Sequence, residues 1–544
     1  IYSIGVEWDI GATDDTNHDC TVAVRYRIGA GAWKTAQNLV RIDHAPVTAQ
    51  KGLTSARNML AGSIMFLDPN TTYQVELTLD DPDGGSAIET RSITTRRLPA
   101  KPSGGNTWHV APGGGGGAGT HADPFLGLTA AQTAASPGDL IKIHPGSYGT
   151  FTFSKAGTAG GGYLVWENEG DGPSTLTTFA VSASYIWIEG FAIGPTTGNA
   201  ITVSGSPEDV VISRNTSTNC HYTIHMGGGE PSYWYIADNT FDGDTDPLGG
   251  SFSGEGIDMQ HTIGHTIAHN DISQAADGIS YPLYNVDIFG NDIHDCSDDA
   301  IEFDYGYSNV RAWKNRCYRA GQNNGLSWQP QNMGPHYIIR NQNVITTTEG
   351  PFKLKPGETD RVVAFHNTIV NFLNNEFQNN AAEMLDFTSR NNLYIAGSTN
   401  GSAIWNHGAA TATYRTDLNY DGFDWGAFVG NPFTYGGTGY ATVAAYAAAS
   451  GQETNGLKVV QADTFTTTVY DVPNLYLTLK SGATAINAGV ALDNINEDFL
   501  GSAPDLGAYE SGATLPEYGP RGAGAPPEPP PVVVSPSSTL MYIG

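Results

Sequence analysis

One residue type returns along the middle of this chain at nearly constant phase. Asn215, Asn239, Asn270, Asn291, Asn315, Asn341 and Asn367 are separated by 24, 31, 21, 24, 26 and 26 residues. Short apolar runs lead into them, as in Ile-Ala-His-Asn-Asp-Ile (267–272), Ile-Phe-Gly-Asn-Asp-Ile (288–293) and Val-Ala-Phe-His-Asn-Thr-Ile (363–369). A period in the twenties with strands in each unit indicates a solenoid. A single coil cannot bury its own apolar face, so coils must stack. Stacking sets each asparagine over the next and predicts a side-chain amide ladder, each bond contributing about 1 kcal/mol.

A second repeat lies between the asparagines. Gly256-Ile-Asp-Met-Gln260, Gly278-Ile-Ser-Tyr-Pro282, Ala300-Ile-Glu-Phe-Asp304, Gly325-Leu-Ser-Trp-Gln329 and Pro351-Phe-Lys-Leu-Lys355 align without gaps. Strand side chains alternate sides. The apolar set, including Ile301, Phe303, Leu326 and Trp328, is therefore expected inside. Two polar columns are expected in solvent: Asp258, Ser280, Glu302, Ser327, Lys353, and beside them Gln260, Pro282, Asp304, Gln329, Lys355. With strands about 4.8 Å apart, five rungs make a strip roughly 20 Å long, the reach of a few sugar units.

Composition narrows the class. With 67 glycines, 30 prolines and 15% charged residues, the 544-residue chain suits turn-rich all-β structure and not helical bundles. A net charge of −29 disfavours nucleic acid, which needs basic patches. No apolar run reaches the roughly 18 residues of a membrane span. No signal peptide precedes Ile1, which stands in an apparent strand, as at a processed terminus. The four cysteines are too few for a disulfide scaffold. Cys296 and Cys317 lie about one coil apart, which leaves a bridge and two buried thiols both open.

Residues 1–98 read as short strands at sandwich spacing. Leu67-Asp-Pro-Asn-Thr-Thr-Tyr73-Gln-Val-Glu-Leu, with Val24-Arg-Tyr-Arg and Trp33, resembles a fibronectin type III domain, in which the tyrosine makes a corner hydrogen bond. The resemblance implies a spacer or adhesive module. Residues 99–107 are a linker by composition. Trp108-His-Val-Ala-Pro-Gly-Gly and Pro137-Gly-Asp-Leu-Ile-Lys-Ile-His-Pro-Gly-Ser-Tyr148 resemble the opening of secreted right-handed parallel β-helix proteins of the pectate-lyase-like superfamily. Ala485-Ile-Asn-Ala-Gly489 with Pro504-Asp-Leu-Gly-Ala-Tyr-Glu510 resembles their closing segment. The expected fold is all-β: a small sandwich, a right-handed parallel β-helix over 108–511 capped by a helix near Leu128–Ala135, and a Pro-rich tail over 512–544. Gly524-Ala-Pro-Pro-Glu-Pro-Pro-Pro531 reads as a stiff spacer before a β-prone apolar stretch at 538–543.

Two functional readings remain. In the first, a secreted protein binds or cleaves polysaccharide along the strip. The lyase-like resemblance then implies a base and cation from Lys353 or Lys355, and Ca²⁺ held by Asp258, Glu302 and Asp304. Asp258, Gln260, Ser327, Gln329 and Arg361 would contact the glycan, and Glu302 with Asp304 would alternatively serve as a hydrolase's acid and base. Against it stands a salt-bridge ladder between those carboxylates and lysines. In the second reading, an extracellular structural subunit binds other copies of itself. Leu540, Tyr542 and Ile543 would add a strand to a neighbour's open sheet edge.

Overall fold

The computed structural model describes residues 1–11, 14–42, 58–249, 252–260, 262–319, 324–328, 333–345, 350–354, 361–371, 377, 386–397, 401–407, 415–470, 474–522 and 540–543. The chain is all-β, and most of it is parallel β-solenoid. It forms two compact units. One comprises 97–297 and 517–536, the other 1–96, 298–516 and 537–544.

In the first unit, the helix Leu128–Ala134 sits at the opening coil with Leu128 and Ala131 buried, as expected of a cap. Later coils repeat three short strands. Val211–Ser213, Tyr235–Ala237, Thr266–Ala268 and Asp287–Phe289 stack in parallel, with Ile212, Ile236, Ile267 and Ile288 in one register column. After each comes one residue in the left-handed region, at Arg214, Asp238, His269 and Gly290, and then the asparagine. That residue turns the chain from one sheet into the next. Glycine is required at 290, because a Cβ there would meet the His269 ring at 2.5 Å.

The ladder forms as expected. Asn215 Nδ2 donates to Asn239 Oδ1 (3.1 Å), Asn239 to Asn270 (2.9 Å) and Asn270 to Asn291 (3.0 Å). Each accepting oxygen also takes the backbone N–H of the preceding asparagine, at 2.9–3.1 Å. The second amide proton of each goes to a carbonyl of the preceding coil, for example Asn239 to Ile212 O at 2.9 Å. All four asparagines are at most 1% exposed.

The second unit continues the same grammar. Asn315 bonds Asn341 (3.0 Å), Asn341 bonds Asn367 (3.0 Å) and Asn367 bonds Asn392 (2.8 Å). The final rung is an acid: Asn392 Nδ2 donates to Asp421 Oδ1 at 3.0 Å, and Asp421 N donates to Glu453 Oε2 at 3.3 Å. The closing segment does not cap the coils but returns along their turns. Gly507 N bonds Asn391 O (2.7 Å), and Tyr509 hydroxyl bonds Gln342 Oε1 (3.0 Å).

Residues 1–94 form an antiparallel sheet system of six strands, β1 (Ile4–Asp9), β2 (Thr21–Ile28), β3 (Lys34–Ile42), β4 (Met59–Ile64), β5 (Thr72–Asp80) and β6 (Ser86–Thr94), ordered β1-β4-β3-β2-β5-β6. The corner bond is present: Asp68 N donates to the Tyr73 hydroxyl at 2.9 Å. These strands pack against coils of their own unit through buried polar contacts. Ser63 N donates to the Tyr337 hydroxyl (3.0 Å), Arg311 Nη1 donates to Ser63 Oγ (3.0 Å), and Ser308 Oγ bonds Glu7. All four cysteines are buried free thiols, so of the two states open for Cys296 and Cys317, the thiols are found.

Two outcomes follow. Asn239→Ala removes two accepted and three donated buried bonds, so it should cost on the order of 3 kcal/mol or more in chemical denaturation. Burial raises the carboxyl pKa of both Asp421 and Glu453, and for Glu453 the nearby Asp421 charge adds to it. The folded state therefore holds a proton that the unfolded state releases above about pH 4.3. That stabilisation is present at low pH and is lost as pH rises through the folded pKa. Urea midpoints measured between pH 5 and 8 should fall with pH, and Glu453→Gln should flatten the fall.

Candidate functional site

The first of the two expected columns is in register within each unit. In the first unit Ile257 aligns with Ile279 and Asp258 with Ser280, and His225 joins the column ahead of Asp258. In the second unit Leu326 aligns with Ile301 and Phe352, and Ser327 with Glu302 and Lys353. The apolar set points inward: Phe303 stacks on Trp328 with ring centroids 4.8 Å apart, and both are 0% exposed.

The polar set is not a solvent-facing strip. Asp258 is 1% exposed, Asp304 4%, Glu302 8% and Ser327 0%. Hydrogen bonds satisfy Asp258, Asp304 and Ser327 there, which removes their need for water. Asp258 Oδ2 accepts from His225 Nδ1 (2.6 Å) and Gln260 Nε2 (3.0 Å). Ser280 Oγ bonds Glu255, and Ser327 Oγ donates to Asp304 Oδ1 at 2.9 Å. The pairing of His225 with Asp258 follows from strand register, which sequence spacing alone does not supply.

Lys353 lies over the acidic turn. Its Nζ is 3.5 Å from Asp299 Oδ2 and 3.8 Å from Asp298 Oδ1. Burial alone would lower its pKa, but Asp299, Asp298, Asp304 and Glu302 outweigh burial and raise it. Lys353 is thus held as an ammonium, which suits charge neutralisation and not proton abstraction. Charge pairing across rungs is realised, with Asp298 and Asp299 as the close partners. Arg361 is not on this face. It precedes a strand of the other sheet, and its guanidinium meets Asp386 (3.4 Å) and the carbonyls of Arg415 (2.9 Å) and Arg41 (3.2 Å). Gln329 and Lys355 lie outside the described residues.

A second candidate is the edge of β1. Leu540–Ile543 pairs with it in parallel: Gly5 with Leu540, Val6 with Met541, Glu7 with Tyr542 and Trp8 with Ile543. The strand expected to seek an open edge is thus seated on the first strand of its own chain. Every residue from Ile4 to Trp8 is buried. Ile4, Val6 and Trp8 join the core of the antiparallel domain, and Glu7 turns toward Ser308. With Leu540–Ile543 seated there, the main-chain groups on this edge of β1 have partners.

No family model, curated protein or solved structure matches the chain.

Lys353→Met tests the neutralising role. It leaves buried carboxylates without their ammonium, so it should destabilise the chain by about 3 kcal/mol at pH 7. Urea denaturation of the wild type and the variant at pH 7 checks the loss.

Proposed function

We propose that this chain is an extracellular structural subunit that assembles by strand exchange, its last strand passing from its own β1 to the β1 of another copy. The observation that carries this reading is the buried edge of β1 and its complementation by a segment far away in sequence. The same four-residue register is available in trans, since main-chain bonds do not distinguish copies. Residues 523–539, rich in proline, separate the strand from Arg521, whose guanidinium forks onto Asp238 with two contacts of 2.8 Å. Exchange of an identical element is a low-cost route to oligomers. A fibronectin type III-like module beside a right-handed, pectate-lyase-like β-helix fits an appendage or surface-layer subunit.

The polysaccharide reading has less behind it. Glu302, Asp304 and Asp258 are buried and engaged, and Lys353 carries a fixed charge. A Ca²⁺ ion at Asp258 would have to displace His225 and Gln260, and one at Asp304 would have to displace Ser327.

Sedimentation velocity over a concentration series decides the matter. The full chain should form concentration-dependent oligomers, and deletion of 524–544 should leave monomers with an unchanged far-ultraviolet spectrum. A full chain that stays monomeric at all concentrations, or a truncated chain that still polymerises, would overturn strand exchange.

A further inference from the structure

Three histidines at the opening of the solenoid converge without any role in the fold described above. His109 lies in the strand Thr107–Ala111, His144 directly follows the strand Leu140–Ile143, and His121 stands in the glycine-rich loop between them. One nitrogen from each lies within 4.8 Å of the other two. The ring centroids are 4.9, 5.3 and 5.4 Å apart. His109 Nδ1 and His144 Nε2 are 3.2 Å apart. Two imidazole nitrogens on a tetrahedral zinc ion, each about 2.05 Å from it, stand about 3.3 Å from each other.

The surroundings fix this arrangement. His144 Nδ1 lies 2.9 Å from Asp171 Oδ2. A carboxylate only accepts, so Nδ1 carries the proton and the Nε2 lone pair faces the cluster. The loop bearing His121 is pinned: His109 N donates to Gly119 O at 2.9 Å, and Ala118 N to Asp123 Oδ2 at 3.1 Å. Gly119, at φ +77°, packs so closely that a Cβ would meet the Phe125 ring at 2.4 Å. His121 itself is exposed, so the cluster is reached from solvent.

We propose that His109, His121 and His144 bind one divalent transition-metal ion of the zinc class, with Asp171 orienting His144 and a fourth position left to water. Three neutral imidazoles select zinc-like ions over Ca²⁺, which takes six to eight oxygens. Bound metal would also clasp the glycine-rich loop to the first coil.

The test uses the untagged full chain, freed of metal with a chelator and titrated with Zn²⁺ against a chromophoric competitor. One tight ion per chain is expected, with a higher melting temperature. Because His121 is exposed, His121→Ala should keep its circular dichroism while weakening Zn²⁺ binding by more than about 100-fold, and Asp171→Asn by roughly 10- to 100-fold. Co²⁺ should give the intense visible bands of a four-coordinate site. Equal Zn²⁺ affinity in the wild type and His121→Ala, no saturable binding, or displacement of Zn²⁺ by equimolar Ca²⁺ would each overturn the proposal.

Discussion

The carboxamide has two donors and two acceptor sites, and the asparagine ladder uses all of them. Within each unit every rung accepts from the rung before and donates to the rung after, while its other proton reaches the main chain of the neighbouring coil. A buried amide is costly unless satisfied in this way. The ladder therefore fixes register: sliding one coil by a residue would break that coil's amide bonds to both neighbouring rungs. The left-handed residue ahead of each asparagine belongs to the same device, since it brings the amide into the turn.

The ladder and the inward face were legible because both recur. Asn215 to Asn367 and the pairs Ile301/Phe303 and Leu326/Trp328 repeat at fixed offsets, and stacking converts equal offset into contact. The fate of the outward columns was not legible. Alternation says that Glu302 and Ser327 point away from the core, but not whether water waits there. Asp258 meets His225 only because a 33-residue step in sequence is one rung in space. Arg361 shows the opposite failure: eight positions past Lys353, it has already left the face. The three clustered histidines share no repeat phase, so no periodicity marks them. The terminal strand was legible as a strand, and its seat was not, because edge pairing leaves no pattern in sequence.

The charge of this chain is deployed unevenly. Its basic residues are few, and several stand against buried carboxylates: Lys353 at Asp299, Arg361 at Asp386, Arg521 at Asp238. Such pairs add little to net stability compared with apolar packing, yet removing one partner strands the other in a low-dielectric site. At Asp421 and Glu453 burial raises the carboxyl pKa, Arg390 offsets it only in part at Glu453, and a proton does that work. The ladder thus ends in a group that answers to pH, although its other rungs are neutral.

The seating of Leu540–Ile543 beside Gly5–Trp8 has a temporal meaning as well. Leu540 lies 535 residues beyond Gly5, so at translation rates of about 5–20 residues per second the β1 edge waits roughly half a minute to two minutes for its mate. Throughout that interval the amino-terminal sheet is a half-finished seam, open to any extended peptide, and crowded ribosomes on one message would present many such seams side by side.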